Sequence, residues 1–253
     1  MKAKKHLGQH FLIDQQVIGD ILQQISQHCP LDEAILEVGP GPGVLTYRLA
    51  EKYDQFRAVE FDRDMIAILV QKLSPELLIN ENFLTVDLSS VFDRKSFSLV
   101  GNFPYNISSQ IIFKMLDNLD LVPKMVGMFQ KEVANRICAE PGSKANGILS
   151  LLAQAYYKAE KLFEIGPQAF NPPPKVDSAV IALTRKEDYT LPCDYKIYKK
   201  IIKASFQQRR KKLRNTLKPF LHDLDLELLQ KRPEQLGVEE FVSIAQIIES
   251  QER

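Results

Sequence analysis

The feature that most constrains the fold is a regular alternation of short apolar segments with segments of helical periodicity. Each apolar segment has the length of a buried strand, and most are followed by a loop and an amphipathic helix pattern. The expected strands cover residues 34–38, 56–60, 77–79, 98–100 and 125–129, and the expected helices cover residues 44–52, 62–73, 108–116 and 131–138. Strands that alternate with helices at this spacing predict an α/β domain with a mostly parallel sheet covered on both faces.

Segments on either side of this region extend the outline. A helix is expected from about residue 14 to residue 29, with Asp14 as its N-cap. Two further strands, over residues 161–165 and 179–184, flank a run of prolines at residues 172–174. The prolines predict an extended loop, and the sequence leaves the isomers of its peptide bonds open.

The strand patterns stop near residue 188. Residues 148–157 could form a helix or a strand, although their alanines and leucines favour a helix. The later helical patterns comprise the apolar positions Tyr198, Ile201, Ile202, Phe206 and Leu213, which share one helical phase, and residues 224–230 and 238–249. We place a domain boundary near residues 186–194, which gives a sheet-bearing domain of residues 1–187 and a small all-helical domain of residues 188–253.

Composition excludes several classes of protein. The chain has 253 residues, of which 45% are hydrophobic and 26% are charged, so it is neither disordered nor collagen-like. It has no apolar run near the roughly 18 residues that a membrane span needs, and its first residues lack the apolar stretch of a signal peptide. Its three cysteines and four histidines show no metal-ligand spacing. We expect a cytosolic monomer that works without a metal ion and away from membranes.

The charge distribution is asymmetric although the net charge is only +1. Residues 199–218 contain nine basic side chains and no acidic one, whereas the remainder of the chain has a net charge of −8. Such a basic segment fits either a polyanion-binding surface or a solvated helix face. Phe206, Gln207, Gln208 and Asn215 lie within it, and these side chains can stack on bases or hydrogen-bond to them. We therefore favour a nucleic-acid-binding surface.

A glycine-rich loop follows the first strand of the sheet, with Gly39, Gly41 and Gly43 in a G-x-G-x-G spacing. Val44 stands where a dinucleotide-binding loop has its third glycine, so the loop fits a pyrophosphate poorly. Glu60 ends the second strand, where a carboxylate can accept hydrogen bonds from both ribose hydroxyls. The pattern predicts a ligand with an adenosine but no pyrophosphate, and S-adenosylmethionine is the leading candidate. The alternative is a purely structural turn.

A second loop, G-N-F-P-Y-N at residues 101–106, follows the fourth strand. Ligands bind at the carboxyl ends of strands in open α/β sheets, so this loop should face the cofactor. The side-chain oxygen of Asn102 and a carbonyl at Phe103 or Pro104 could accept the two N–H bonds of an adenine N6, and Tyr105 could stack on the base. Two acceptors off the ring plane would help this weak nucleophile reach tetrahedral geometry, without a general base. An ordinary turn is the alternative.

Six motifs occur in order along the chain. They are K-K-H-L-G-Q-H-F-L at residues 4–12, E-V-G-P-G at 37–41, G-N-F-P-Y-N-I-S at 101–108, Q-K-E-V-A-N-R at 130–136, N-P-P-P-K-V-D-S-A-V at 171–180 and F-Q-Q-R-R-K-K-L-R-N-T-L at 206–217. Together they resemble the ribosomal RNA adenine dimethyltransferase family, and specifically its small-subunit branch, which is linked to kasugamycin sensitivity. The resemblance implies a Rossmann-like S-adenosylmethionine-dependent methyltransferase domain. It also implies transfer of two methyl groups to N6 of each of two adjacent adenosines near the 3′ end of 16S ribosomal RNA, late in small-subunit assembly.

The resemblance also implies roles for individual residues. Tyr105 and Phe170 would sandwich a flipped adenine beside Asn102 and Pro104. The cofactor would contact His10, Leu12, Gly39, Gly41, Glu60, Asn82 and Asn102. The phosphates of the RNA would contact Arg209, Arg210, Lys211, Lys212 and Arg214.

Three positions depart from the family pattern. His10 stands where many relatives have Asn, and Phe103 replaces an aliphatic residue, which predicts altered packing around the pocket. Asn82 stands where the family usually has an Asp that bonds the adenine amine of the cofactor. Its amide oxygen can still accept that bond but carries no charge, so weaker cofactor binding is expected.

Three other functions compete with this interpretation. A large-subunit methyltransferase of the macrolide-resistance type shares the chemistry, but the basic motif at residues 206–217 argues against it. An NAD-dependent oxidoreductase conflicts with the missing third glycine. A non-enzymatic assembly factor for the small subunit would bind the RNA in the same way, and only loss of catalysis without loss of growth would distinguish it.

Overall fold

The computed structural model describes Lys4, residues 9–220 and residues 227–251. Lys5 to Gly8 of the first motif and residues 224–226 of an expected helix lie outside the described residues. The described chain forms two compact units: one contains residues 1–134 and 160–184, and the other contains residues 135–159 and 185–253.

A seven-stranded sheet runs through the first unit, with strand order β4-β3-β2-β5-β6-β9-β7. The strands of the chain are β1 (Phe11–Leu12), β2 (Ala34–Val38), β3 (Phe56–Glu60), β4 (Leu78–Asn80), β5 (Phe97–Asn102), β6 (Lys124–Gln130), β7 (Tyr157–Ile165), β8 (Phe170–Asn171) and β9 (Ser178–Arg185). The five neighbouring strands β4, β3, β2, β5 and β6 pair in parallel, and β9 pairs with β6 in antiparallel fashion. The prediction of a mostly parallel α/β sheet is confirmed. The short strands β1 and β8 form a separate antiparallel pair.

Ten α-helices and several short 3-10 turns lie in the described part of the chain. The α-helices are α1 (Gln15–His28), α2 (Thr46–Lys52), α3 (Arg63–Leu69), α4 (Leu88–Val91), α5 (Ser108–Leu116), α6 (Lys131–Ile137), α7 (Ile148–Tyr156), α8 (Tyr195–Gln207), α9 (Leu213–Thr216) and α10 (Val238–Gln251). Asp14 caps α1 as expected, because its carboxylate accepts from the backbone N–H groups of Gln16 and Val17. The ambiguous segment near residue 150 is a helix, followed directly by β7.

The helical unit includes a segment that the sequence-based boundary at residue 187 assigns to the sheet domain. Residues 135–159 belong to the unit of residues 185–253, because α7 packs against α8 and α10. Leu151 and Leu152 are buried, and the Tyr198 hydroxyl donates to the Leu151 carbonyl at 2.9 Å. The helix precedes a strand of the sheet in sequence, so local patterns gave no sign of this association.

Tyr198 and Leu213, which share one helical phase in the sequence, lie on two different helices. Helix α8 ends at Gln207 and α9 begins at Leu213. Residues 208–212 form a turn, so the most basic part of the chain lies in a connection and not on a helix face. Both apolar positions are buried, each on its own helix. The segment from Glu227 to Gln230 is a 3-10 helix.

Phe103, the aromatic residue in an aliphatic position, fits because β6 carries a glycine beneath it. Phe103 is 1% exposed and packs edge-on against Phe129, with ring centroids 5.0 Å apart. A Cβ atom at Gly127 would lie 2.0 Å from Cε2 of the Phe103 ring. The absence of a side chain at Gly127 therefore makes room for the ring, next to the loop that begins at Asn102.

A Gly127→Ala substitution should lower the free energy of unfolding by about 1–3 kcal/mol, because the new methyl group overlaps the Phe103 ring. Phe103→Leu in the same chain should recover part of that loss, since the smaller side chain vacates the space. Denaturant unfolding followed by circular dichroism measures both. The matched control is Gly19→Ala on α1, where a Cβ meets no atom within 4 Å. Additive losses in the double variant would contradict the packing argument.

Candidate active site

A cavity lies at the carboxyl ends of the parallel strands. Its wall includes residues from four neighbouring strand ends, in the order Asn102 (β5), Gly39 (β2), Glu60 (β3) and Asn82 (after β4). The cavity is also lined by His10, Leu12 and Gly41. The structure thus brings together on one wall all seven residues expected to bind the cofactor.

The glycine-rich loop contacts the Asn102 loop directly. Gly39 has φ +68°, a conformation that favours glycine, and its N–H donates to the Val59 carbonyl at 3.0 Å. A Cβ atom at Gly39 would lie 3.2 Å from Cγ and Cδ of Pro104. The loop after β2 and the loop after β5 therefore face the same cavity and approach each other so closely that a side chain at Gly39 would require the Pro104 ring to shift.

The Glu60 carboxylate is held by three backbone N–H groups. Its Oε1 accepts from Phe61 at 2.8 Å and Asp62 at 2.9 Å, and its Oε2 accepts from Gly41 at 3.1 Å. Burial raises the pKa of Glu60, and these hydrogen bonds oppose the rise. A carboxylate has about four acceptor positions, so about one remains, on Oε2, for a ligand hydroxyl. The group is rigid and ready to accept from a ribose.

Glu37 is a site residue that the sequence interpretation missed. It lies inside the buried strand β2, is 1% exposed and lines the cavity. Its Oε2 has no hydrogen-bond partner among the described residues. Burial, with a contribution from the charge of Glu60, raises the pKa of Glu37 to about 8. A charged residue within an otherwise apolar strand was the available signal, and such a residue requires a partner or a ligand.

The orientation of the Asn102 amide is set by the N-terminal segment. Asn102 Nδ2 donates to the His10 carbonyl at 3.3 Å, which leaves Oδ1 as the acceptor available to a ligand. In the same loop, the Pro104 carbonyl accepts from the Ile107 N–H at 3.1 Å. The Phe103 carbonyl is therefore the better second acceptor of the two that the sequence left open.

The Tyr105 ring is fixed at its edge and on one face. Its hydroxyl hydrogen-bonds with Ser178 Oγ at 2.6 Å, and the His10 ring stacks on it with centroids 5.5 Å apart and planes at 28°. Nδ1 of His10 lies 2.8 Å from the Pro172 carbonyl oxygen, and the Asn171–Pro172 peptide is cis. His10 therefore covers one of the two ring faces on which a substrate base could stack.

Phe170 does not line the cavity in this structure. It is 2% exposed and pairs with Leu12 between β8 and β1, within the hydrophobic core. The expected sandwich of a base between Tyr105 and Phe170 is not formed by these side-chain positions. Because the core packing of Phe170 depends on residues distant in sequence, the motif around it could not indicate its burial.

Asn82 begins a tight turn at the end of the cavity. Its side-chain oxygen accepts from the Leu84 N–H at 3.0 Å, and its carbonyl accepts from Thr85 at 2.9 Å and Val86 at 3.2 Å. The oxygen that was expected to accept the adenine amine thus already has a backbone donor. Asp87, five positions further along the chain, caps α4 by accepting from the Ser89 N–H.

The basic residues of the helical unit do not all have the same surroundings. Arg209 Nη2 donates to the Asn146 carbonyl at 3.1 Å and to the Lys144 carbonyl, so it holds the loop before α7. Lys212 Nζ lies 3.4 Å from Gln230 Oε1. Arg210, Lys211 and Arg214 are exposed to solvent. The set predicted to contact RNA therefore contains one residue with a clear structural role.

The described residues contain neither a metal-binding cluster nor a membrane-spanning helix. In the part of the chain that the structure covers, no three His, Cys, Asp or Glu side chains are grouped so as to hold a metal ion. None of the described helices has the length and hydropathy to span a bilayer.

Comparisons with known proteins agree with the motifs. The family model described as "Ribosomal RNA adenine dimethylase" matches residues 1–250. Proteins named "Ribosomal RNA small subunit methyltransferase A" from Bacteroides fragilis and Flavobacterium johnsoniae are 52% and 50% identical, over 98% and 99% of this chain and 93% and 97% of theirs.

Solved structures support the fold. A dimethyladenosine transferase from Plasmodium falciparum has a TM-score of 0.81 at 22% identity, covering 96% of this chain and 98% of its own. The 23S rRNA methyltransferase ErmE has a TM-score of 0.70 at 23% identity, covering 93% of this chain and 99% of its own. The Rossmann-like methyltransferase sheet expected from the sequence is therefore confirmed. With a family model that matches nearly its whole length, the chain belongs to the ribosomal RNA adenine dimethylase family.

Proposed function

We propose that this protein transfers methyl groups from S-adenosylmethionine to N6 of two adjacent adenosines near the 3′ end of 16S ribosomal RNA, giving N6,N6-dimethyladenosine. The relatives that are about half identical to it are named as small-subunit ribosomal RNA methyltransferases. The observation that carries the proposal is the single cavity in which Asn102, the Gly39 loop and Glu60 meet. The reaction would take place late in assembly of the small subunit, in the cytoplasm, with the protein as a monomer.

The residues of the cavity fit the cofactor. Gly39 and Gly41 allow a ligand to approach the backbone closely, and Glu60 presents an acceptor to the ribose. The unpartnered Oε2 of Glu37, buried in the wall between them, suits a cationic or hydrogen-bond-donating part of the ligand. When bound, S-adenosylmethionine supplies a methyl group on an electrophilic sulfonium. His10 and Leu12 would cover the ligand from the N-terminal segment.

Asn102 and the backbone that follows it would position the reacting nitrogen. The N6 lone pair of adenine is delocalised into the ring, so N6 attacks poorly unless its hydrogens are drawn out of plane. Asn102 Oδ1, fixed by the bond from Nδ2 to His10, and the Phe103 carbonyl would accept those two hydrogens. Pro104 stiffens the turn, and its own carbonyl closes the turn at Ile107. The N6 proton becomes acidic once the methyl group is attached and would be lost to solvent, so positioning and partial charge, without a general base, are sufficient.

Tyr105 would bind the base by stacking after it leaves the RNA helix. His10 stacks on Tyr105 in the described structure, so a base that uses this face must displace the imidazole. We retain Phe170 as the second aromatic contact, which requires a shift that exposes it, since it is 2% exposed here. Both movements would involve the paired strands β1 and β8, because β1 begins directly after His10 and β8 contains Phe170.

Arg210, Lys211, Lys212 and Arg214 would bind RNA phosphates and so orient the substrate without reading its sequence. They lie in and just after the turn between α8 and α9. Arg209, in contrast, would contribute mainly by holding the turn against residues 144–146.

Unmethylated small ribosomal subunits should accept labelled methyl groups from S-adenosylmethionine in the presence of this protein. Mapping by primer extension and mass spectrometry should locate N6,N6-dimethyladenosine at two adjacent positions near the 3′ end of the RNA. Naked large-subunit RNA is the control substrate, and it should remain unlabelled. Labelling of the large-subunit RNA with none of the small subunit would favour the macrolide-resistance type of activity and reject this proposal.

An Asn102→Ala variant should lose at least about two orders of magnitude in methylation rate, because one of the two N6 acceptors is removed from the transition state. Binding to small subunits should change little. Asn80→Ala, at an exposed residue that ends β4, is the matched control and should retain full activity. Normal growth and subunit assembly in cells that carry only the Asn102 variant would favour the role as an assembly factor.

The salt dependence of RNA binding tests the basic turn. Replacing Arg210 and Lys211 by Ala should reduce the slope of log K against log salt by about 1.4, if each contacts one phosphate of a single strand. Lys52→Ala with Lys95→Ala, at exposed positions of the first unit, removes the same charge and should leave the slope unchanged. An equal change in both double variants would mean that net charge, and not this turn, determines binding.

A further inference from the structure

The position of the cofactor's base follows from the order of the strand ends. If the methyl group lies at Asn102 on β5 and the ribose at Glu60 on β3, the ligand runs across β2 toward β4. Adjacent strands are about 4.8 Å apart, so the base continues past Glu60 to the residues that follow β4. Glu81, Asn82 and Phe83 line the cavity there.

The Asn82 amide cannot turn freely in this wall. Leu84 presents an N–H group to Asn82 Oδ1 at 3.0 Å, and a flipped amide would place two donors against each other. Leaving the Leu84 donor without an acceptor destabilises the turn where this donor is shielded from water. Nδ2 has no hydrogen-bond partner among the described residues. The amide NH₂ group is therefore the part of Asn82 that is available to a ligand.

The turn that carries Asn82 is held from the side of α5. Lys114 donates from Nζ to the Val86 carbonyl, and its ammonium lies 5.3 Å from the centroid of the Phe83 ring. Phe83 is 3% exposed. Asn82 lines the cavity, and its carbonyl bonds to Thr85 and Val86 together with its side-chain bond to Leu84 hold it in this turn.

We propose that Asn82 presents its amide NH₂ to the cofactor's base and so does not recognise the adenine 6-amino group, which makes this pocket tolerant at position 6 of the purine. The 6-amino group is itself a donor and finds no acceptor on that NH₂ group. An aspartate at the same position would bond Leu84 with one oxygen and offer the second to the amine. Asn82 is thus a specificity-determining residue, and the inference rests on the proposed use of S-adenosylmethionine.

Two ligands that differ only at that position separate the alternatives. They are S-adenosylhomocysteine and its analogue in which hydrogen replaces the 6-amino group, titrated calorimetrically into the full-length protein without RNA. The native protein should bind the two with dissociation constants within about threefold of each other. Asn82→Asp should prefer the amino compound by about tenfold or more, which corresponds to one hydrogen bond of about 1.4 kcal/mol.

Asn80→Asp is the matched control, because it adds the same charge at an exposed residue just before the turn and should leave the ratio of the two constants unchanged. A native protein that prefers the amino compound by tenfold or more would overturn the inference, whether or not the Asn82→Asp variant folds. An unchanged ratio in a folded Asn82→Asp variant would also overturn it. Failure of the native protein to bind either ligand would instead reject the proposed function, and the inference with it.

Discussion

The register of four parallel strands is the constraint on which the site depends. Val38 pairs with Val59, Glu37 with Val100 and Glu60 with Asn80, so β2, β3, β4 and β5 all end at one edge of the sheet. Parallel strands require crossover connections, and each connection here leaves that edge through a loop before it returns to the start of the next strand. A slip of one residue would turn Glu60 and Asn102 to the opposite face. The cavity therefore depends on the backbone pairing of the strands that carry its lining residues.

Two carboxyl groups buried beside the cavity make the site electrostatically incomplete. Burial raises the pKa of both Glu37 and Glu60, and the charge of Glu60 adds to the rise at Glu37. Glu60 is compensated by three backbone N–H groups, whereas Glu37 Oε2 lacks a partner among the described residues. In the proposed function, the sulfonium of S-adenosylmethionine would supply positive charge beside these groups. The same wall that costs stability without a ligand can thus contribute to its binding.

Three residues that are expected from the sequence to depart from the family pattern are each accommodated by a neighbour. The large ring of Phe103 packs above Gly127, and His10 covers the face of Tyr105 while its carbonyl orients Asn102. Asn82 keeps the turn that an aspartate would form but offers a different group to the ligand. These substitutions alter the surroundings of the reacting groups while the strand ends that carry those groups stay in place.

The sequence by itself determined the α/β class, most strand and helix positions, the cap at Asp14 and the family, because periodicity, capping and the motifs are properties of neighbouring residues. It also selected seven residues that do line one cavity. Only the tertiary structure decided that residues 135–159 join the helical unit, that Arg209 holds a loop, that Phe170 is buried and that the oxygen of Asn82 faces Leu84. Glu37 became a site residue only when its burial and its unpartnered oxygen were visible. Most of these outcomes depend on packing between segments far apart in the chain, and the Asn82 bond depends on backbone geometry, neither of which a local pattern specifies.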